Sequence, residues 1–373
     1  MRVLFVSGTT VGGSGRSQRQ LAALLSGMGH ELLIVADDES RSLFRRFAYG
    51  HLSDLAARLR TRVGSRPVRL VEGLPGRRGR RRTLDGVSHL ITPVPENAFV
   101  RVVHDLRPDV VVGSSISRLG WRKIRTVCDA QRIATILYIR EMPAMNHFEF
   151  GDRVADAVVA NAVMLAEEVR ARGYECEFLP SAIDTSVTIT QSTRTVALVV
   201  NPIETHGVVM IRELAPLLPT VPFVLQESWP LSVAQRRWID ENVLPLPNVE
   251  FRRAVAPGPQ LYGDAKVLLV PHRVDNRPRV IAEVQANGIP VIVSDLPGLR
   301  EAMGNGGLCA APDDVEAWRR TLEEVWSDPA IYDSLVANAA RHSRREEIQP
   351  DRVALRFAEI LHKVSEERPS PAA

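Results

Sequence analysis

Two carboxylates, Asp275 and Glu283, stand eight residues apart in the stretch PHRVDNRPRVIAEVQANGIPVIVSD, with Arg277 and Arg279 between them. Pro278 suits the first turn of a helix, where its missing N–H has no intrahelical partner to lose. The helix is expected to run to about Asn287, with Gly288 as a left-handed stop. Ile289 to Ser294 reads as a buried strand, closed by the turn signal Asp295-Leu-Pro-Gly298. Free N–H groups and the dipole at a helix start attract an anion, most often phosphate. A carboxylate one turn deeper can accept both hydroxyls of a ribose. The same spacing also fits a surface helix with a solvated charged start, and both readings stand.

The segment D-N-R-P-R-V-I-A-E-V-Q-A-N-G-I-P-V resembles the E-x7-E signature of the large retaining family of GT-B glycosyltransferases that use nucleotide-sugar donors. Asp275 takes the first acid's place and Glu283 the second; Arg279, Val280, Gln285 and Gly288 match, and Pro278 replaces a glycine. The resemblance implies that Glu283 binds the donor ribose and Asp275 the donor sugar. It implies further donor contacts at Gly12 and Gly13, in an N-terminal glycine loop that otherwise reads as a tight turn, and at Asn201, Glu227, Val280, Arg277 and Arg279, with the two arginines at the leaving diphosphate. Related enzymes place a histidine near the strand end held here by Arg140 and Glu141, which makes this pair a catalytic candidate or a salt bridge. The loop from Asn201 to Gly207 has His206 where a diphosphate-holding lysine is common, and Glu227-Ser-Trp matches one branch of the family. His206 as a phosphate donor and His206 as a mere loop lining are both open.

These residues need a scaffold, and the chain supplies one. Val3 to Val6 reads as a buried strand, Ser7 to Gly15 as a flexible loop, Ser17 to Met28 as a helix and Glu31 to Ala36 as a second strand. This opens a doubly wound α/β domain. Neither the G-x-G-x-x-G fingerprint nor a P-loop is complete in the glycine loop. The expected architecture is α/β with two Rossmann-like doubly wound domains, and the family resemblance implies that they face a cleft and that a C-terminal helix returns to the first. The boundaries are 1–184 for the N-terminal domain, 185–195 for a Thr/Ser-rich linker, 196–349 for the donor-binding domain and 350–367 for the returning helix. Residues 43–59 read as one or two helices. The arginine-rich run 58–82 reads as a solvated, mobile insertion, with an anionic acceptor or membrane surface as its second reading. Residues after Glu367 read as a disordered tail.

At 373 residues, 45% of them apolar, the chain suits two cores. A net charge of +3 gives no argument for nucleic acid, and the arginine run holds no aromatic residue to stack a base. Cys128, Cys176 and Cys309 form no CxxC pair and read as thiols of a reducing compartment. No stretch reaches the ~20 apolar residues that span a bilayer, so the expectation is a soluble, cytoplasmic protein. Peripheral membrane contact is not indicated. The family resemblance implies retaining sugar transfer, and Asp and Glu, not arranged as a D-x-D metal site, agree with a metal-independent reaction. It uses no cofactor beyond a nucleotide-diphosphate sugar as co-substrate, and its partners are that donor and a small-molecule or glycan acceptor. The alternatives are a nucleotide-sugar epimerase of the same fold and a non-catalytic nucleotide-sugar or anion binder.

Overall fold

The computed structural model describes residues 1–10, 12–37, 79–148, 153–255 and 258–368. The expected helices at 43–59, the arginine run up to Arg78 and the tail from 369 lie outside the described residues. The chain divides into two compact units: Met1–Asn161 with Leu165–Ala182 and Asp351–Ala373, and Ala162–Met164 with Ile183–Pro350.

The first unit holds strands β1 (Arg2–Ser7), β2 (Glu31–Asp37), β3 (Arg80–Leu84), β4 (Val87–Thr92), β5 (Val110–Ser114), β6 (Ala134–Ile139), β7 (Ala157–Ala160) and β8 (Glu177–Phe178). They form one sheet in the order β3-β4-β2-β1-β5-β6-β7-β8. Only the β3–β4 pair is antiparallel among the described residues. From β4 to β7 the order is the 3-2-1-4-5-6 of doubly wound sheets, running outward in both directions from β1. Strands covered on both faces read as unbroken apolar runs. Val3, Leu4, Phe5 and Val6 accordingly have no exposed surface.

Helices α1 (Gly12–Gly27), α2 (Pro95–Leu106), α3 (Arg118–Gln131) and α4 (Val163–Ala171) follow their strands. The glycine loop is shorter than expected: α1 begins at Gly12, whose φ of 68° turns the chain into the helix. The arginine run also differs from a mobile insertion where it is described. Arg80, Arg81 and Arg82 are exposed on edge strand β3. Asp85 and Gly86, with φ of 49° and 76°, make the two-residue hairpin turn to β4. Positive φ at both turn residues gives the twist that matches paired strands, which is why Asp-Gly suits this place. Charge along an edge also discourages another chain from pairing there.

The second unit holds β9 (Val196–Val200), β10 (Phe223–Gln226), β11 (Val249–Arg252), β12 (Ala265–Val270), β13 (Val291–Ser294) and β14 (Gly307–Ala310). Its sheet is wholly parallel, ordered β11-β10-β9-β12-β13-β14, which is again 3-2-1-4-5-6. Its helices are α5 (Val208–Leu214), α6 (Val233–Asn242), α7 (Arg279–Gln285), α8 (Pro297–Met303), α9 (Val315–Ser327) and α10 (Pro329–His342). Residues 185–195, expected as a linker, are bonded into this unit. Thr193 N–H donates to Gly263 O at 2.9 Å, and Arg194 donates to Asn287 O at 2.8 Å and Gly288 O at 2.7 Å. The last two bonds satisfy carbonyls just past the end of α7, which would otherwise lack partners.

Helix α11 (Pro350–Glu367) packs in the core of the first unit from Asp351 onward. Phe357, fully buried, lies 6.2 Å from the ring of Phe5 and 5.9 Å from that of Tyr138, nearly parallel to both.

Candidate active site

In an open parallel sheet, the crevice for a ligand lies at the carboxyl ends of the strands where the winding direction reverses. In the second unit that point falls between β9 and β12. The loop after β9 runs from Asn201 to Gly207, and the loop after β12 starts at Pro271. Arg273 N–H donates across to Thr205 O at 3.0 Å, closing one loop on the other. Gly207, at φ 80°, lies so near that an added Cβ would stand 2.0 Å from Pro271 O. Both the backbone angle and the space therefore demand glycine there. A cavity of about 260 Å³ opens at this place, lined by Gly207, Met210, Pro271, His272, Arg273 and Asp313 among others.

The loop after β9 is held rigidly. Asn201 is buried at φ 55°, a conformation asparagine tolerates better than most residues. Its amide donates to Ser228 Oγ at 2.6 Å and accepts from the N–H groups of Ser228 and Trp229 at 2.8 and 3.2 Å. Glu227 is also buried, and its oxygens accept from Leu231 N–H at 2.7 Å and Ala254 N–H at 2.9 Å. Both residues, expected at the donor, spend much of their bonding capacity shaping the loops.

His206 stacks on His272, ring centroids 4.2 Å apart and planes within 15°. His206 Nδ1 lies 3.0 Å from Asn201 O. A carbonyl only accepts, so this nitrogen carries the proton and Nε2 is left as an acceptor in the neutral ring. Burial lowers the His206 pKa, with the bond to Asn201 opposing it. His272 is pushed down further, to about 3, by burial and by the facing His206 ring. Its Nδ1 lies 3.2 Å from Asn276 Oδ1. The pair is therefore neutral at pH 7, and a neutral His206 offers a phosphate no N–H from Nε2.

The acid pair takes a different shape from the open one expected. Pro278 is the cap of α7 rather than its first residue, and α7 ends at Gln285, before the left-handed Gly288. The side chain of Glu283 is only 3% exposed; it accepts from Arg279 Nε at 2.8 Å and from the Tyr262 hydroxyl at 2.6 Å. Val280, one residue on from Arg279, is half-buried and packs against the apolar core of this unit. Arg277 lies 2.9 Å from carboxylate oxygens of both Glu301 and Glu347. The Glu301 approach is an ion pair off the angle of a hydrogen bond. The arginines expected to face a phosphate are thus already charge-paired within the unit. Asp275 belongs to the next helix. Both its oxygens accept from Gly298 N–H, at 2.9 and 3.2 Å, in the first turn of α8. Burial raises its pKa, against the lowering effect of these backbone donors.

In the first unit, Arg140 is buried over the Tyr138 ring at 4.1 Å and donates to Ser114 Oγ at 3.2 Å and Ser181 Oγ at 3.0 Å. Glu141, the next residue, is exposed. Gly12 and Gly13 form the first turn of α1. Beside them, Ser14 Oγ lies 2.8 Å from Ser115 Oγ, bridging α1 to the loop after β5.

Residues 213–328 match the family described as Glycosyl transferases group 1. Over nearly its whole length the chain superposes on sucrose-phosphate synthase from Thermosynechococcus elongatus, with TM-score 0.76 and 14% identity, covering 98% of this chain and 100% of that one. The fold is that of a GT-B glycosyltransferase. The GT-B neighbours include a UDP-GlcNAc 2-epimerase from Neisseria meningitidis, with TM-score 0.59 and 13% identity over 97% of this chain and 100% of that one. At these identities the likeness is one of fold. A D-inositol 3-phosphate glycosyltransferase of Thermobispora bispora is 35% identical over 95 residues, 24% of this chain and 22% of that protein. The matched segment thus spans about a fifth of that relative's length. His272 went unremarked in the sequence, because nothing in its local pattern shows that it meets His206.

Proposed function

We propose that this GT-B protein transfers a sugar from a nucleotide-diphosphate sugar to an acceptor, with the donor diphosphate at the switch point of the second unit. The observation that carries the reading is the cavity between the loops after β9 and β12, where Gly207 lets the two loops approach each other closely at the switch point. The group 1 match over residues 213–328 supports it independently. In this reading the first turn of α5 and His206 meet the diphosphate. Glu283, positioned by Arg279 and Tyr262, takes the ribose hydroxyls. Asp275 meets the sugar; Arg279 orients Glu283, and Arg277 is paired with Glu301 and Glu347 rather than touching phosphate.

The bond from the anomeric carbon to the diphosphate oxygen breaks as the acceptor oxygen bonds to the same carbon. Attack from the leaving-group side gives retention, and the departing phosphate oxygen takes the acceptor's proton, so no separate protein base is required. The main task left to the protein is stabilising the leaving diphosphate, and the proposal assigns it no metal. Arg140 and Glu141, with the Gly12–Gly13 turn, are proposed on the acceptor side.

Calorimetry with UDP-, GDP-, dTDP- and ADP-sugars, followed by product analysis with candidate acceptors, tests this. Binding plus transfer with retained anomeric configuration is expected. An isomerised nucleotide sugar without acceptor would instead support the epimerase, binding without turnover a non-catalytic receptor. No binding of any donor would end the proposal.

A further inference from the structure

The stacked histidines give the candidate donor site a property that a lysine there would not have. His206 Nδ1–H is committed to Asn201 O, and His272 Nδ1 to Asn276 Oδ1. Each neutral ring therefore has its lone pair at Nε2. Gly207 and His272 line the cavity, and His206, the chain neighbour of one and the stacking partner of the other, lies partly buried beside it. An anion set against Nε2 of either ring meets a lone pair, which repels it, unless a proton comes with it.

The surroundings fix how many protons and where. Two imidazolium rings with centroids 4.2 Å apart would repel strongly, so at most one charges. His206 is the better host: it is less buried than His272, and a cation on it strengthens the bond its Nδ1–H already makes to a carbonyl. Other charges nearby leave little net bias. Arg273 pairs with Asp313 at 3.1 Å, and Glu213 on the cavity wall pairs with Arg212 at 3.1 Å. Glu204 is exposed on the turn that carries His206. Asp275 is bound to Gly298, and on the Trp229 side Glu227 is bound to backbone N–H groups. Trp229 itself meets the His206 ring edge-on at 6.1 Å and adds no charge.

We propose that the His206–His272 stack is a one-proton receptor: a nucleotide-diphosphate sugar binding in this cavity draws one proton onto His206 Nε2, which then donates to a phosphate oxygen. The proton comes from solvent and returns to it on release. His272 stays neutral and provides the ring face beneath the imidazolium. This deepens the proposed donor site and rests on that reading.

Linkage gives the direction. Burial holds the His206 pKa of the free protein below its ordinary value, and a bound anion raises it. Donor affinity is then greatest at low pH and falls as pH rises between those two values, by up to about tenfold per pH unit for one full proton. The phosphates of a nucleotide sugar do not titrate in this range, so the dependence belongs to the protein.

The test is calorimetry of the tightest-binding nucleotide sugar at pH 7 in buffers of low and high ionisation enthalpy. The expected result is net uptake approaching one proton and a dissociation constant that rises with pH. His206→Gln should still bind, more weakly and without uptake. His206→Lys, carrying a fixed charge, should bind without uptake and with a nearly flat pH profile. Binding by the unaltered chain with no uptake, or undiminished uptake by His206→Lys, would overturn the one-proton receptor alone. Absence of binding by all four nucleotide sugars would overturn it together with the donor site.

Discussion

Arg279 and Glu283 show how much a buried ion pair constrains the residues around it. Side-chain exposures of 6% and 3% leave neither group much water to fall back on. Removing one partner strands the other charge in a poor solvent, which costs about 3–5 kcal/mol. Glu283→Ala is therefore expected to lower unfolding stability by that amount in urea titrations. The double replacement Arg279→Met with Glu283→Leu should recover most of it. A loss below about 1 kcal/mol for the single variant would mean that water reaches the pair. Asp275 behaves oppositely. Its raised pKa means that the folded chain holds the proton more tightly than the unfolded chain does. Its carboxyl group thus favours the folded state below the ordinary pKa of 3.8, and that contribution is lost as pH rises through the raised value. Asp275→Asn keeps an oxygen for Gly298 N–H and should fold as well as the parent at pH 7, while sugar transfer falls at least about tenfold if Asp275 meets the sugar. Circular-dichroism melts and turnover assays on the same preparation separate the two roles.

At the level of elements, the short helices are held by their ends. Helix α6 buries little: Ile239 is its one fully buried side chain. What fixes its start is a capping box, with Ser232 Oγ accepting from Gln235 N–H and Gln235 Oε1 accepting from Ser232 N–H. Ser232→Ala should cost about 1 kcal/mol, visible as faster amide exchange over residues 233–242 with little change elsewhere. The Ser-x-x-Gln signal was present in the sequence, yet weak apolar periodicity hid the helix behind it. Helix α3 was missed despite a Ser117 cap and buried Trp121, Ile124 and Cys128. The buried strands were far easier to read, because unbroken apolar runs bounded by glycine, proline and aspartate have few other uses. Asp275 is the instructive failure: spacing tied it to α7, whereas its oxygens serve the start of α8.

On the scale of the whole molecule, the first unit depends on the last helix of the chain. Phe357 fills the space between Phe5 and Tyr138, and Leu361 and Val364 continue the same apolar face. Phe357→Ala should destabilise the first unit by about 3–5 kcal/mol through the cavity it leaves. Chemical denaturation followed by probes placed in each unit checks this, and an equal loss in the second unit would contradict it. Taken alone, the order of residues determined that there are two doubly wound sheets and where their buried strands lie, while the return of the last helix to the first core is an expectation from the family resemblance. The sheets and strands follow from local backbone preference and from the need to cover apolar strands, and both are written into neighbouring positions. Tertiary structure alone decided which carboxylates neutralise Arg277, which helix Asp275 caps, and that His206 lies face to face with His272. Such pairings join residues distant along the chain, and burial and charge select them only once the strands have brought their loop ends together.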